Sequence, residues 1–148
     1  MNAGGWNQLR CSYFQATCVS QIGSFLQPYG FVVSKSDADV IVIFRRLEVY
    51  IEIGYLLEFY PDYVLTVVIG LGDGRLDAVP LWYVIPQNDS SNSYSLWTFS
   101  SEVMLRSVLI KIQNEVILPY AQPLWQDIEQ LRQIVTKFNR DAADRRNS

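Results

Sequence analysis

From Val40 to Gly72 the chain reads VIVIFRRLEVYIEIGYLLEFYPDYVLTVVIGLG, its densest block of β-branched and aromatic residues. Such residues suit a pleated, half-buried surface, so the block predicts the centre of an antiparallel sheet. Glu48 to Gly54 alternates, with Val49, Ile51 and Ile53 pointing one way and Glu48, Tyr50 and Glu52 the other. That pattern describes a sheet with one packed face and one wet face. Val40 to Phe44 precedes it as a strand, and the charged run Arg45 to Glu48 reads as the hairpin turn between them. Asp62 to Leu71 is the longest strand, with Leu65, Val67, Ile69 and Leu71 on one face and Thr66 and Val68 on the other. Both of its faces are largely apolar, which predicts a central strand covered from both sides for part of its length. Tyr55 to Pro61 fits either a wide connection or a short helical turn, ended by Pro61. Gly30 to Ser36 reads as a first short strand, broken at Asp37-Ala38-Asp39. Ala78 to Ile85 reads as a last major strand, with Pro80 placing its start near an edge or bulge.

The flanks switch to helical spacing. Phe14, Cys18, Ile22, Phe25 and Leu26 predict a helix over Ser12 to Gln27, capped by Ser12 and stopped by Pro28 and Gly30. Val103, Leu105, Val108, Leu109, Ile112 and Val116 predict a second helix, capped by Ser100 or Ser101 and ended at Pro119. Leu124, Ile128, Leu131, Val135 and Phe138 predict a third, opened by Pro123 at its first position. Between sheet and helices, Gln87 to Tyr94 is a polar loop, and Leu96 to Phe99 a short extended piece. Taken together the pattern predicts an α+β domain: an N-terminal helix, an antiparallel meander of four or five strands, and two C-terminal helices packed on one sheet face. It is read as a single domain over residues 1–148, with a core of about 12–138 and loose ends at 1–10 and 139–148.

Composition narrows the class. The 148 residues are 49% hydrophobic and 18% charged, a globular balance. A formal net charge of −3 lacks the basic footprint that nucleic-acid binding needs. No apolar run approaches the roughly 20 residues of a membrane span, and the first residues lack a signal-peptide pattern, so a cytoplasmic location is expected. Cys11 and Cys18 are seven apart, about 10.5 Å along a helix axis. A disulfide needs Cα atoms within about 7 Å, so the two are expected as thiols.

The chain has no histidine. That removes the commonest general base and metal ligand, every Ser-His-Asp or Cys-His arrangement, and zinc of the His/Cys kinds, since two cysteines cannot fill a site. The acidic candidates are Glu48, Glu52, Glu58 and Asp62. Glu48 and Glu52, four strand residues and about 13 Å apart, exceed the spacing of about 5–9.5 Å in a glycosidase pair. Gly70 to Gly74 resembles a phosphate loop only superficially, because no Gly-Lys-Ser/Thr follows and the next segment is no helix. No cofactor or metal is expected, and the chain reads as a non-enzyme.

The run Val40–Phe44, a turn, Val49–Ile53 and then Asp62–Gly70, with Tyr50 and Glu52 between the apolar positions, resembles the central β-meander of small uncharacterised bacterial proteins, some of them immunity proteins of toxin systems. The resemblance is confined to the meander. It implies a non-enzymatic protein that acts by binding, and carries over no site residue. The leading expectation is a protein-binding module, immunity-like, with Glu48, Tyr50 and Glu52 facing a basic protein partner. The alternative is a small-ligand carrier or sensor, with Trp82, Trp97, Tyr120 and Trp125 lining a pocket between the sheet and the C-terminal helices. A homodimer is compatible with either.

Overall fold

The computed structural model describes residues 11–37, 40–59, 62–72, 77–86 and 97–147. The expected lead-in at 1–10, the break at 38–39, the turn at 73–74 and the polar loop at 87–94 lie outside them.

The described residues open with helix α1, which runs from Phe14–Cys18 through a π-helical turn at Val19–Gly23 to Ser24–Leu26, and tightens into a 3-10 turn at Gln27–Tyr29. Its N-cap is Tyr13, with no side-chain cap bond, so Ser12 does not cap it as expected. Gly30 closes it in the left-handed region at φ 92°, the conformation a glycine C-cap supplies at no steric cost. The sheet follows: β1 (Val32–Asp37), β2 (Ile41–Arg46), β3 (Val49–Phe59), β4 (Asp62–Leu71), β5 (Ala78–Pro80) and β6 (Thr98–Phe99). It is antiparallel, in the order β1-β2-β3-β4-β5, and β6 pairs with β4. A short helix α2 (Leu81–Val84) precedes β6. Helix α3 runs from Glu102–Ile112 through π-helical Gln113–Ala121 to Gln122–Gln126, and α4 spans Ile128–Asn147.

The core is the inward face of the sheet against the helices. Val42, Phe44, Val49, Ile51, Ile53, Tyr55, Leu65, Val67, Ile69 and Leu71 meet Phe14, Cys18 and Ile22 of α1, Leu105, Leu109 and Ile112 of α3, and Leu131 and Val135 of α4. The strand alternation read from the sequence is therefore the inward alternation of the fold. Each of these large side chains, fully withdrawn from water, contributes about 1.5–3 kcal/mol. Cys11 and Cys18 are both buried and both free thiols.

Several boundaries differ from the expectation. Tyr55 to Phe59 is neither connection nor helical turn but the far half of β3: Tyr55 pairs with Leu65 and Leu56 with Val64. Tyr55 is held inside by ring contacts with Phe14, Tyr63 and Phe99. The expected strand from Ala78 to Ile85 stops at Pro80, whose missing N–H cannot continue the ladder; Leu81–Val84 is helical instead. Pro119 does not end α3. It sits within the π-helical stretch, where the wider turn relieves the clash a proline makes in an α-helix. The break before α4 comes at Asp127, not Pro123. Asp127 leaves helical geometry at φ −133°, and its Oδ1 accepts the Gln130 N–H at 3.2 Å, an N-cap.

Helix α4 also runs past Asn139, where a frayed end was expected. Ring contacts from Trp82 and Tyr83 to Phe138, and a 2.7 Å hydrogen bond from the Tyr83 hydroxyl to Asp141 Oδ2, dock its last turns on α2. The bonded carboxylate holds the Tyr83 phenol above its ordinary pKa.

Candidate functional site

With every described helix packed on one side, the other sheet face carries the outward residues in rows set by the strand register. Arg45, Tyr50 and Gly70 form one row; Ile43, Glu52, Val68 and Pro80 the next; Ile41, Gly54 and Thr66 the third. Ile41, Ile43, Val64, Thr66, Val68 and Pro80 are half-buried. No second layer covers β4 on this side among the described residues. The expected double cover shrinks to one corner, where the Tyr50 ring lies over Gly70. A Cβ on Gly70 would occupy the space of that ring. Arg45 closes the corner: its guanidinium stands 5.3 Å from the Tyr50 ring centroid, and its Nη1 donates to the Gly72 carbonyl at 2.9 Å.

The three residues expected on one wet face are thus separated. Tyr50 points outward as read but is buried, with only 3% of its surface exposed, because Gly70 opposite leaves a bed for the ring. Glu48 lies in the two-residue turn between β2 and β3, beside α4: its Oε2 is 3.9 Å from Arg132 Nη2. Arg132 also reaches Glu129 at 3.2 Å. Glu48, Leu71, Gly72, Asp77, Arg132, Val135 and Thr136 line a polar cleft of about 360 Å³ at this end. Such exposed ion pairs are worth about 1 kcal/mol or less. Only Glu52 stays within the open face, in register between Ile43 and Val68. Asp62 lies at the opposite end of β4, so among the described side chains no acidic pair is assembled around Glu52; the Glu58 side chain lies outside them.

The four aromatic residues expected to share a pocket also divide in two. Trp125 is buried on the helix side, its ring 5.5 Å from that of Tyr29 and 5.0 Å from that of Phe31; its carbonyl accepts from Arg46 Nη1 at 3.3 Å. Tyr120 is half-buried against the core and does not line the hollow that holds Trp82 and Trp97. Trp82 and Trp97 instead flank a notch in the edge of β4. There β6 pairs with Tyr63 and Val64, and β5 with Val68 to Gly70. Between them lies a hollow of about 330 Å³ lined by Leu65, Thr66, Val67, Val68, Pro80, Trp82 and Trp97. The pocket is therefore at the sheet edge, not between sheet and C-terminal helices. Sequence reasoning missed Leu65, Thr66, Val67, Val68 and Pro80 as its lining, since two short strands meeting one edge is a long-range event. Its only local signal was Pro80, which marked an edge.

Among the described residues, no group of three or more His, Cys, Asp or Glu side chains is placed to hold a metal ion, and no helix is long and apolar enough to cross a membrane. No protein-family model, curated protein or solved structure matches the chain.

Proposed function

We propose that this protein is a non-enzymatic binding module that takes a basic protein partner on the helix-free face of its sheet. One observation carries the reading: Glu52 stands between the half-buried aliphatic side chains of Ile43 and Val68, on a face that no helix covers among the described residues. A partner docking there removes apolar surface from water and surrounds the carboxylate with a dry rim, the setting in which a complementary cation counts most. The net charge of −3 favours the encounter with a basic surface. Glu48 and Tyr50 take lesser parts, Glu48 because it lies at the turn and Tyr50 because its ring is already packed. Inhibitory binding of the immunity-protein kind is the form this activity takes if the likeness of the meander extends to function. A cytoplasmic site goes with the same reading, as it keeps the buried thiols of Cys11 and Cys18 reduced.

The test is pull-down of the partner from native lysate, followed by its calorimetric titration against single variants of this face. Ile43→Asp and Glu52→Lys should each weaken binding by about tenfold or more, with the melting temperature little changed for Glu52→Lys. Unaltered affinity in both variants would overturn the reading.

A further inference from the structure

We propose that the notch in the β4 edge is a second binding site, bordering the helix-free face at Val68 and Pro80, for a small uncharged ring-bearing molecule of up to two fused rings. The fold builds the hollow. Strands β5 and β6 approach the same edge of β4 from its two ends, with β5 stopping at Pro80 and the β6 ladder at Val64. The Leu65 N–H donates to the Trp97 carbonyl at 2.9 Å, which fixes Trp97 as one wall. Helix α2 carries Trp82 as the other, steadied by an edge contact with Phe138 at 6.3 Å. Leu65, Thr66, Val67 and Val68 of β4 and Pro80 of β5 complete the lining.

Size and chemistry choose the ligand. The hollow is about 330 Å³, roughly twice the ~150 Å³ that accommodates one benzene ring, and at the small end of ligand sites at about 300–1,000 Å³. None of the seven lining residues is ionisable, so a charged group entering the notch loses hydration that none of these side chains replaces with an opposite charge. Two indoles offer a flat molecule stacked or edge-on contacts, which a branched aliphatic cannot match. Trp97 is buried and Trp82 is 36% exposed, so one ring anchors the site and the other borders its mouth.

Indole is the probe, with benzoate as its charged counterpart. In ¹⁵N-labelled protein, the indole N–H signals of Trp82, Trp97 and Trp125 are followed during titration. The expected result is saturable movement of Trp82 and Trp97 with one midpoint, a still Trp125, and benzoate weaker by at least about tenfold. Trp82→Ala should weaken indole binding by about tenfold, the loss of one ring contact. Val68→Phe should abolish it by filling the hollow that Val68 lines; its unchanged Trp125 signal shows that the fold persists. Still Trp82 and Trp97 signals at millimolar indole would overturn the proposal, as would movement of Trp125 in step with them or equal binding of benzoate. Loss of protein binding at Glu52 leaves all of these outcomes unaffected.

Discussion

Leu47 holds a backbone that a leucine rarely adopts. Its φ is +53° at the first of the two turn residues between β2 and β3, and its side chain is 85% exposed. Glycine usually takes that place in a two-residue hairpin, and a side chain there costs about 1–2 kcal/mol in local clash. No burial offsets that cost. Leu47→Gly should therefore raise the unfolding free energy by about 1 kcal/mol, part of the relief being lost to glycine's greater unfolded-state entropy. Urea denaturation measures it, and a lower midpoint would show that the leucine contributes something this account omits.

Cys18 poses a different question at the same scale. Burial in α1 pushes its thiol pKa up to about 12 from an ordinary value near 9. The folded state thus keeps a proton that the unfolded chain gives up above pH 9. This contribution is fully present below about pH 9 and is lost as pH rises towards 12, at about 1.4 kcal/mol per pH unit. Burial moves Cys11 and Tyr13 upward as well, so they act in the same direction. Urea midpoints between pH 8 and 10.5 should fall with pH, and Cys18→Ala, though less stable throughout, should show a shallower fall. Equal slopes in the two proteins would contradict the assignment.

At the scale of elements, the β3–β4 pair is held by inward aliphatic residues on one face and by the Tyr50–Gly70 corner on the other. Gly70→Ala should cost about 2 kcal/mol, because the new methyl meets the Tyr50 ring in a packed corner. In a Tyr50→Ala background the same change should cost less than about 1 kcal/mol, since the obstacle is gone. Equal costs in the two backgrounds would mean that the ring does not rest on Gly70. The inward alternation of β3 and the bounds of β4 were legible because burial on one face writes a period of two into the sequence. The Tyr50 corner was not legible, because Tyr50 and Gly70 are 20 positions apart and only strand pairing makes them neighbours. Pro119 and Pro80 misled for opposite reasons. A π-helical turn tolerates the first, whereas the second ended a strand that the apolar residues after it seemed to continue. Those residues, Trp82 and Tyr83, are apolar because they receive α4.

At the scale of the whole molecule, all the helices among the described residues lie on one side of the sheet, and this asymmetry leaves the other face open among those residues. The pattern read from the sequence predicted the one-sided packing, and it placed Glu52 outward. It did not show that Glu48 is drawn away to Arg132, or that Trp82 and Trp97 part company with Tyr120 and Trp125, because helix docking decides both. The central claim is that binding belongs to the helix-free face. It is tested most directly by pull-down from the native lysate at modest salt with wild type, Glu52→Lys and Glu115→Lys, each with its melting temperature. Glu115 is an exposed residue of α3, on the helix side, paired with Lys111 at 4.0 Å, so its reversal makes the same charge change away from the open face. One near-stoichiometric partner held by wild type and Glu115→Lys, and lost from a fully folded Glu52→Lys, is the predicted result. No partner for wild type, or equal recovery on all three proteins, would contradict the account.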